Sequence, residues 1–177
     1  MKFNTLLTIL LVLSASFCFA QSEKIEGKFN LGLEAGLPVG KAGGIYNAGI
    51  GASLKYEYLA GANFYLSLSA GYSNFGVKDS YKQQYPGSYK SSYGFIPLKI
   101  GGKLYFGRRF FSELQLGNTF GANVISISTA NQSALTFSSG VGYSLSNGLE
   151  LGFRYEGWFT DQLFSQYSLR LAYRFKL

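Results

Sequence analysis

The stretch that most limits what this chain can fold into is its last thirteen residues, Ser165 to Leu177. Tyr167, Leu169, Leu171, Tyr173, Phe175 and Leu177 alternate with Gln166, Ser168, Arg170, Ala172, Arg174 and Lys176. Successive side chains of a strand point to opposite faces, so this period of two describes a strand with one apolar, aromatic-rich face and one polar face. A terminal strand of that kind left with a free edge would template aggregation, so it must pair, and it implies a sheet that closes on itself.

Seven earlier segments repeat the pattern: residues 28–37, 47–58, 64–73, 93–106, 110–120, 135–145 and 149–159. They are separated by tight turns around Gly61 and Asn63, at Gly107 to Arg109 and at Asn147-Gly148, and by longer connections at Pro38 to Tyr46, Gly76 to Ser92, Gly121 to Ala134 and Thr160 to Phe164. Asn-Gly between two alternating runs is a strong hairpin signal. Short and long connections alternate, and the short ones fall on the side that holds both termini, as in outer-membrane barrels. The expected fold is all-β, an eight-stranded antiparallel up-and-down transmembrane β-barrel.

Volume and charge orient the faces. An eight-stranded barrel is just wide enough for its own side chains, and the polar face carries Gly32, Gly36, Gly49, Gly51, Gly71, Gly101, Gly117, Gly140, Gly142 and Gly152. Small residues belong inside. Inverting the fourth strand would put Lys99 and Lys103 into lipid, at roughly 2–4 kcal/mol each near the midplane. The opposite arrangement, a soluble lipocalin-like carrier with its apolar face inward, is the weaker reading. Aromatic residues crowd the strand ends and read as two interfacial girdles: Tyr56, Tyr58, Phe64, Tyr105, Phe106, Phe110, Tyr173 and Phe175 on the turn side, and Tyr72, Phe75, Tyr93, Phe120, Phe137, Trp158 and Phe159 on the loop side. Pro97, which has no N–H for a ladder, is expected near the loop end of its strand, at a bulge.

Residues 1–20 have Lys2, an apolar run from Leu6 to Leu13 and a small-residue exit at Ala20, the pattern of a secretory signal peptide. The barrel domain is then 21–177. A lipoprotein reading through Cys18 is opposed by the bulky Phe17 before it. Cleavage removes the only cysteine, and the whole chain has no histidine. The usual general base, neutral metal ligand and nucleophile-activating group are all missing. We expect no enzyme activity, no catalytic or metal-binding residue and no cofactor. The formal charge of +7, or +6 without Lys2, is dispersed along strands and loops rather than clustered. Anionic lipid headgroups fit this better than nucleic acid.

The charges on the small-residue face are Glu34, Lys55, Glu57, Lys99, Lys103, Glu113, Glu150, Arg154, Glu156, Arg170 and Arg174. In a narrow lumen they must pair, so the expectation is a salt-bridge network filling the barrel. Exchange of partners to open a narrow ion path is the sharper alternative. Glu150 and Glu156 share a strand face but lie roughly 20 Å apart along it, too far for a catalytic dyad. In the connection before the fourth strand, Tyr81, Tyr85, Tyr89 and Tyr93 recur every four residues among Lys78, Lys82 and Lys90. Tyr with Ser and Gly suits adaptable recognition, and the lysines suit anionic sugars or lipopolysaccharide phosphates. A protein or glycan partner at these loops is one reading, and a flexible solvated loop whose lysines sit over anionic headgroups is the other.

The two-faced strands, the signal peptide, the strand opening Tyr93-Gly94-Phe95-Ile96-Pro97-Leu98 and the aromatic last strand together resemble the small outer-membrane β-barrel family, with its OmpX- and OmpA-type and porin-like or PorT-like members. The resemblance covers the whole mature chain. It implies location in the outer membrane, contact with its lipid and lipopolysaccharide, and insertion by the barrel-assembly machinery through a C-terminal signal, here Tyr167, Leu169, Leu171, Tyr173, Phe175 and Leu177. Leu177 departs from the family's usual terminal aromatic. The resemblance implies a structural or surface-interaction role, with a narrow porin-like channel or a PorT-like secretion or assembly accessory as alternatives.

Overall fold

A computed structural model of the chain describes residues 27–84, 90–122, 133–159 and 164–176. Eight strands form one closed barrel in sequential order: β1 (Gly27–Val39), β2 (Tyr46–Leu59), β3 (Phe64–Val77), β4 (Ser92–Phe106), β5 (Phe110–Gly121), β6 (Ser133–Ser144), β7 (Leu149–Phe159) and β8 (Phe164–Lys176). Every neighbouring pair is antiparallel, and β1 closes on β8 from Lys28↔Lys176 to Val39↔Ser165. No free sheet edge remains along the paired strands, which answers the demand made by the C-terminal alternation. Among the described residues no helix is long and apolar enough to cross a membrane, so the crossing elements are these strands.

Two connections expected as open loops carry a turn of helix each, α1 (Gly40–Ile45) and α2 (Asp79–Gln84), and β3 runs on to Val77. The turn-side connections are tight. Gly107 and Gly148 take φ of 68° and 93°, a left-handed conformation open to glycine at no steric cost. Asn147 Oδ1 accepts the Leu149 N–H at 3.2 Å beside the second of them.

The alternation resolves into an apolar outside and a polar inside. Leu33, Ile50 and Ile100 are 69, 75 and 64% exposed, and among the described side chains no charged residue lies on the outward face of a strand. The inner face is held close by glycine. A Cβ on Gly101 would stand 2.0 Å from the Leu114 carbonyl oxygen, and one on Gly117 2.0 Å from that of Leu98, so β4 and β5 approach here as only glycine permits. Pro97 sits inside β4, where it pairs with Thr119 of β5. On its other side the β3–β4 register passes from Ala70↔Leu98 to Ser73↔Phe95, a gap in the ladder where the N–H is missing.

The girdle assignment needs correction at the barrel mouth. Phe75 and Trp158 are 1 and 3% exposed and point into the lumen. Tyr93, paired with Phe75, sets its ring edge-on to Tyr46, and Tyr105 hydrogen-bonds within the lumen. The reason is register: Trp158 is two residues beyond inward Glu156, and Phe75 two beyond inward Ser73. The belts on the outside are formed by residues such as Phe29, Tyr58, Phe64, Phe106, Phe110, Tyr173 and Phe175 on the turn side and Tyr72, Phe120, Phe159 and Tyr167 on the loop side.

Candidate functional site

Among the described residues, the lumen is where polar chemistry is concentrated. On its turn side Lys103, fully buried, donates to Glu57 Oε1 at 2.8 Å and to both Glu150 oxygens at 2.9 Å. Its Nζ also lies 4.1 Å from the centre of the Phe111 ring, a cation–π contact. Phe111 fits because Gly142 faces it: a Cβ there would be 2.2 Å from the ring. Glu150 collects further donors, Ser144 at 2.6 Å, Tyr105 at 2.9 Å and Arg174 at 3.2 Å. Lys28 closes this end, donating to Tyr65 Oη at 2.5 Å.

Toward the loop side, Lys55 bridges to both oxygens of Glu113 at 2.6 and 2.7 Å. Arg154 donates to Glu34 Oε2 at 2.6 Å, Ser53 donates to Glu34 Oε1 at 2.6 Å, and Arg170 Nε donates to Ser53 at 3.0 Å and lies 3.4 Å from the same carboxylate. Lys99 pairs with Glu156 Oε2, while Trp158 Nε1 donates to Oε1 of that carboxylate at 2.7 Å. All eleven charged residues named from the sequence face this interior, joined by pairs that no single strand could disclose, such as Lys55 with Glu113 and Arg154 with Glu34. Each carboxylate accepts from at least one cation, so none stands free as a general base. The arrangement cross-links strands by charge. Two small cavities of about 20 and 10 Å³ interrupt it.

The loop-side mouth is closed by aromatic rings that sequence reasoning missed or misplaced. Phe164 stacks on Trp158 at 4.2 Å, and Phe75, Phe95 and Tyr46 pack edge-on or tilted around them, with Ala42 of α1 and Ala134 completing the cluster. Space for the Phe75 ring comes from Gly36 and Gly49, whose Cβ atoms would fall 3.2 and 2.3 Å from it. The available signal was parity: each of Phe75, Phe95 and Trp158 continues the inward phase of its strand.

The proposed recognition loop is only partly described. Lys78 is not displayed. Its Nζ donates to the Gly43 carbonyl at 2.5 Å and its N–H to that of Ile45 at 2.9 Å, tying α1 to the end of β3. Lys82 pairs with Asp79 at 3.1 Å, Tyr81 is half-buried on α2, and Lys90 is exposed. Tyr85 and Tyr89 lie outside the described residues. On β8, Tyr167, Leu169, Leu171, Tyr173 and Phe175 all face outward, and Leu177 lies outside the described residues.

Comparison with known proteins agrees with the architecture. No curated protein sequence matches the chain. Among solved structures, Ail of Yersinia pestis in complex with the heparin analogue sucrose octasulfate aligns with a TM-score of 0.57 at 14% identity, covering 86% of this chain and all of Ail. The N-terminal barrel of Pseudomonas aeruginosa OprF aligns at 0.56 with 11% identity, over 86% of this chain and 100% of that one. Neisserial surface protein A aligns at 0.53 with 10% identity, over 85% and 97%. At such identities the likeness is one of fold. The profile of the outer membrane protein β-barrel domain family matches residues 5–175. Closed, apolar outside and matched over nearly its whole length, the chain belongs to the outer membrane protein β-barrel domain family and spans the outer membrane.

Proposed function

We propose that this protein is a non-conducting, non-enzymatic barrel whose role is structural and surface-interacting, exercised through its loop end. The observation that carries this reading is the filled lumen: cross-linked charges along its length and an aromatic stopper at its mouth. A path for ions would require several buried pairs to part together, each exposing uncompensated charge. The absence of histidine from the sequence supports the non-enzymatic part. At the loop end Lys41 and Lys90 are exposed cations. Ail has been crystallised with a polysulfated sugar, and anionic sugar or lipopolysaccharide is the ligand chemistry these lysines suit.

Two measurements test the proposal. Purified protein reconstituted in planar bilayers is expected to show no discrete conductance steps, and reproducible steps would overturn the closed-lumen reading. A photo-crosslinking probe at position 85 in intact cells is expected to capture lipopolysaccharide, a glycan or a defined protein, and a barrel that yields no adduct would leave no surface role to assign. We propose also that residues 1–20 are the export signal, so N-terminal sequencing of membrane-extracted protein should begin at Gln21.

A further inference from the structure

The buried charges of the lumen do not cancel. Among the described residues, six cations inside the lumen face five carboxylates there, besides Lys28 at the turn-side rim. The turn-side group is balanced, Lys103 and Arg174 against Glu57 and Glu150. The surplus falls in the loop-side group. There Glu113 answers Lys55, Glu156 answers Lys99 and stands 3.3 Å from Arg154 Nε, and Glu34 is shared by Arg154 and Arg170, so three cations, Lys99, Arg154 and Arg170, share two carboxylates.

Geometry places the unanswered charge at Arg170. Arg154 holds Glu34 at 2.6 Å whereas Arg170 reaches it only at 3.4 Å. Arg170 Nη2 is buried without a hydrogen-bond partner among the described residues, on a side chain 7% exposed. Arg170 lines both cavities, and the two other residues common to both are the cations Lys55 and Arg154. The Nε of Arg154 is buried without a hydrogen bond but lies 3.3 Å from Glu156 Oε2, so Arg170 Nη2 is the group left unanswered. Three positive groups thus line both of these spaces, each of a size for one small species, since about 10–15 Å³ admits a water-sized occupant. Water would satisfy the N–H groups but not the charge, and an uncompensated charge in a dry interior is costly.

We propose that the lumen binds one small monovalent anion of the halide class between Lys55, Arg154 and Arg170, as the missing sixth counter-charge. The carboxylates in the same walls, Glu34 on one side and Glu113 with Glu150 on the other, disfavour a divalent anion, and the volume excludes organic ones.

The folded barrel crystallised in sodium bromide should show an anomalous peak in the lumen bounded by these three residues. In detergent, its thermal midpoint should be higher in sodium chloride than in sodium gluconate of equal ionic strength, by roughly 5–10 °C when chloride is a hundredfold above its Kd. Arg170→Gln removes the surplus cation, and Ser69→Asp plants a tethered anion in the wall of the smaller cavity. Either should abolish the difference between salts, whereas Lys28→Gln at the turn-side rim should keep it. A bromide peak found only outside the lumen, equal midpoints in the two salts, or a chloride effect that survives both variants would overturn the proposal. The bromide measurement uses the unaltered protein and stands even if Arg170→Gln does not fold.

Discussion

Lys103→Met is the perturbation whose cost the lumen geometry fixes best. The substitution leaves the volume nearly filled and deletes one ammonium from between two carboxylates. Their fates differ. Glu150 keeps Ser144, Tyr105 and Arg174 as donors. Glu57 keeps only Lys55 at 3.8 Å, too far for a hydrogen bond, and its Oε2 is already without a partner among the described residues. One orphaned buried carboxylate therefore results, not two, and the expected loss is about 3–5 kcal/mol. Adding Glu57→Gln turns the orphan charge into a neutral amide and should bring the loss down to about 1–3 kcal/mol. Denaturant unfolding in phospholipid vesicles, followed by the emission of Trp158, the chain's single tryptophan, measures both. A double variant no more stable than Lys103→Met, or a Lys103→Met protein within about 0.5 kcal/mol of the native one, would show that Lys103 is not what compensates Glu57.

Other perturbations probe other layers. Gly117→Ala should cost about 1–3 kcal/mol by the same unfolding assay, because the new methyl must push β4 and β5 apart. Ile100→Arg places a cation on the outward belt and should cost roughly 2–4 kcal/mol, with a smaller penalty for the same change at Phe106 near the turn-side interface. Phe75→Ala, which empties the centre of the aromatic stopper, should cost about 3–5 kcal/mol and raise the susceptibility of Trp158 emission to iodide quenching. Lys78→Met should leave the unfolding midpoint nearly unchanged while making α1 a site of limited proteolysis, since it unties that helix and not the barrel.

What the sequence could disclose follows from the length over which each rule acts. Alternation is a property of one strand, so Leu33 outside and Glu34 inside could be told from neighbours alone. Pairing of charges depends on how strands are staggered across the lumen. Lys55 and Glu113 sit on β2 and β5, and nothing in either segment names the other. The aromatic stopper shows a third case. Position near a strand end suggested that Phe75 and Trp158 belong to the outer girdles, yet inward phase continues to the mouth, and Gly36 and Gly49 on β1 and β2 clear the volume that Phe75 takes from β3. A small residue on one strand matched to a large one on another is a relation in space, invisible to a count along the chain.

The seam between β1 and β8 sets an order of events. Lys28 stands opposite Lys176 across it, and Val39 opposite Ser165, so the first of the eight strands waits for the last. No shorter stretch of the chain has both its edges covered, and contacts this distant in sequence form slowly. Until β8 pairs, β1 and β7 each keep an open edge beside an apolar outer face. Completion is then all at once: the segment that closes the wall is also the one that ends the wait.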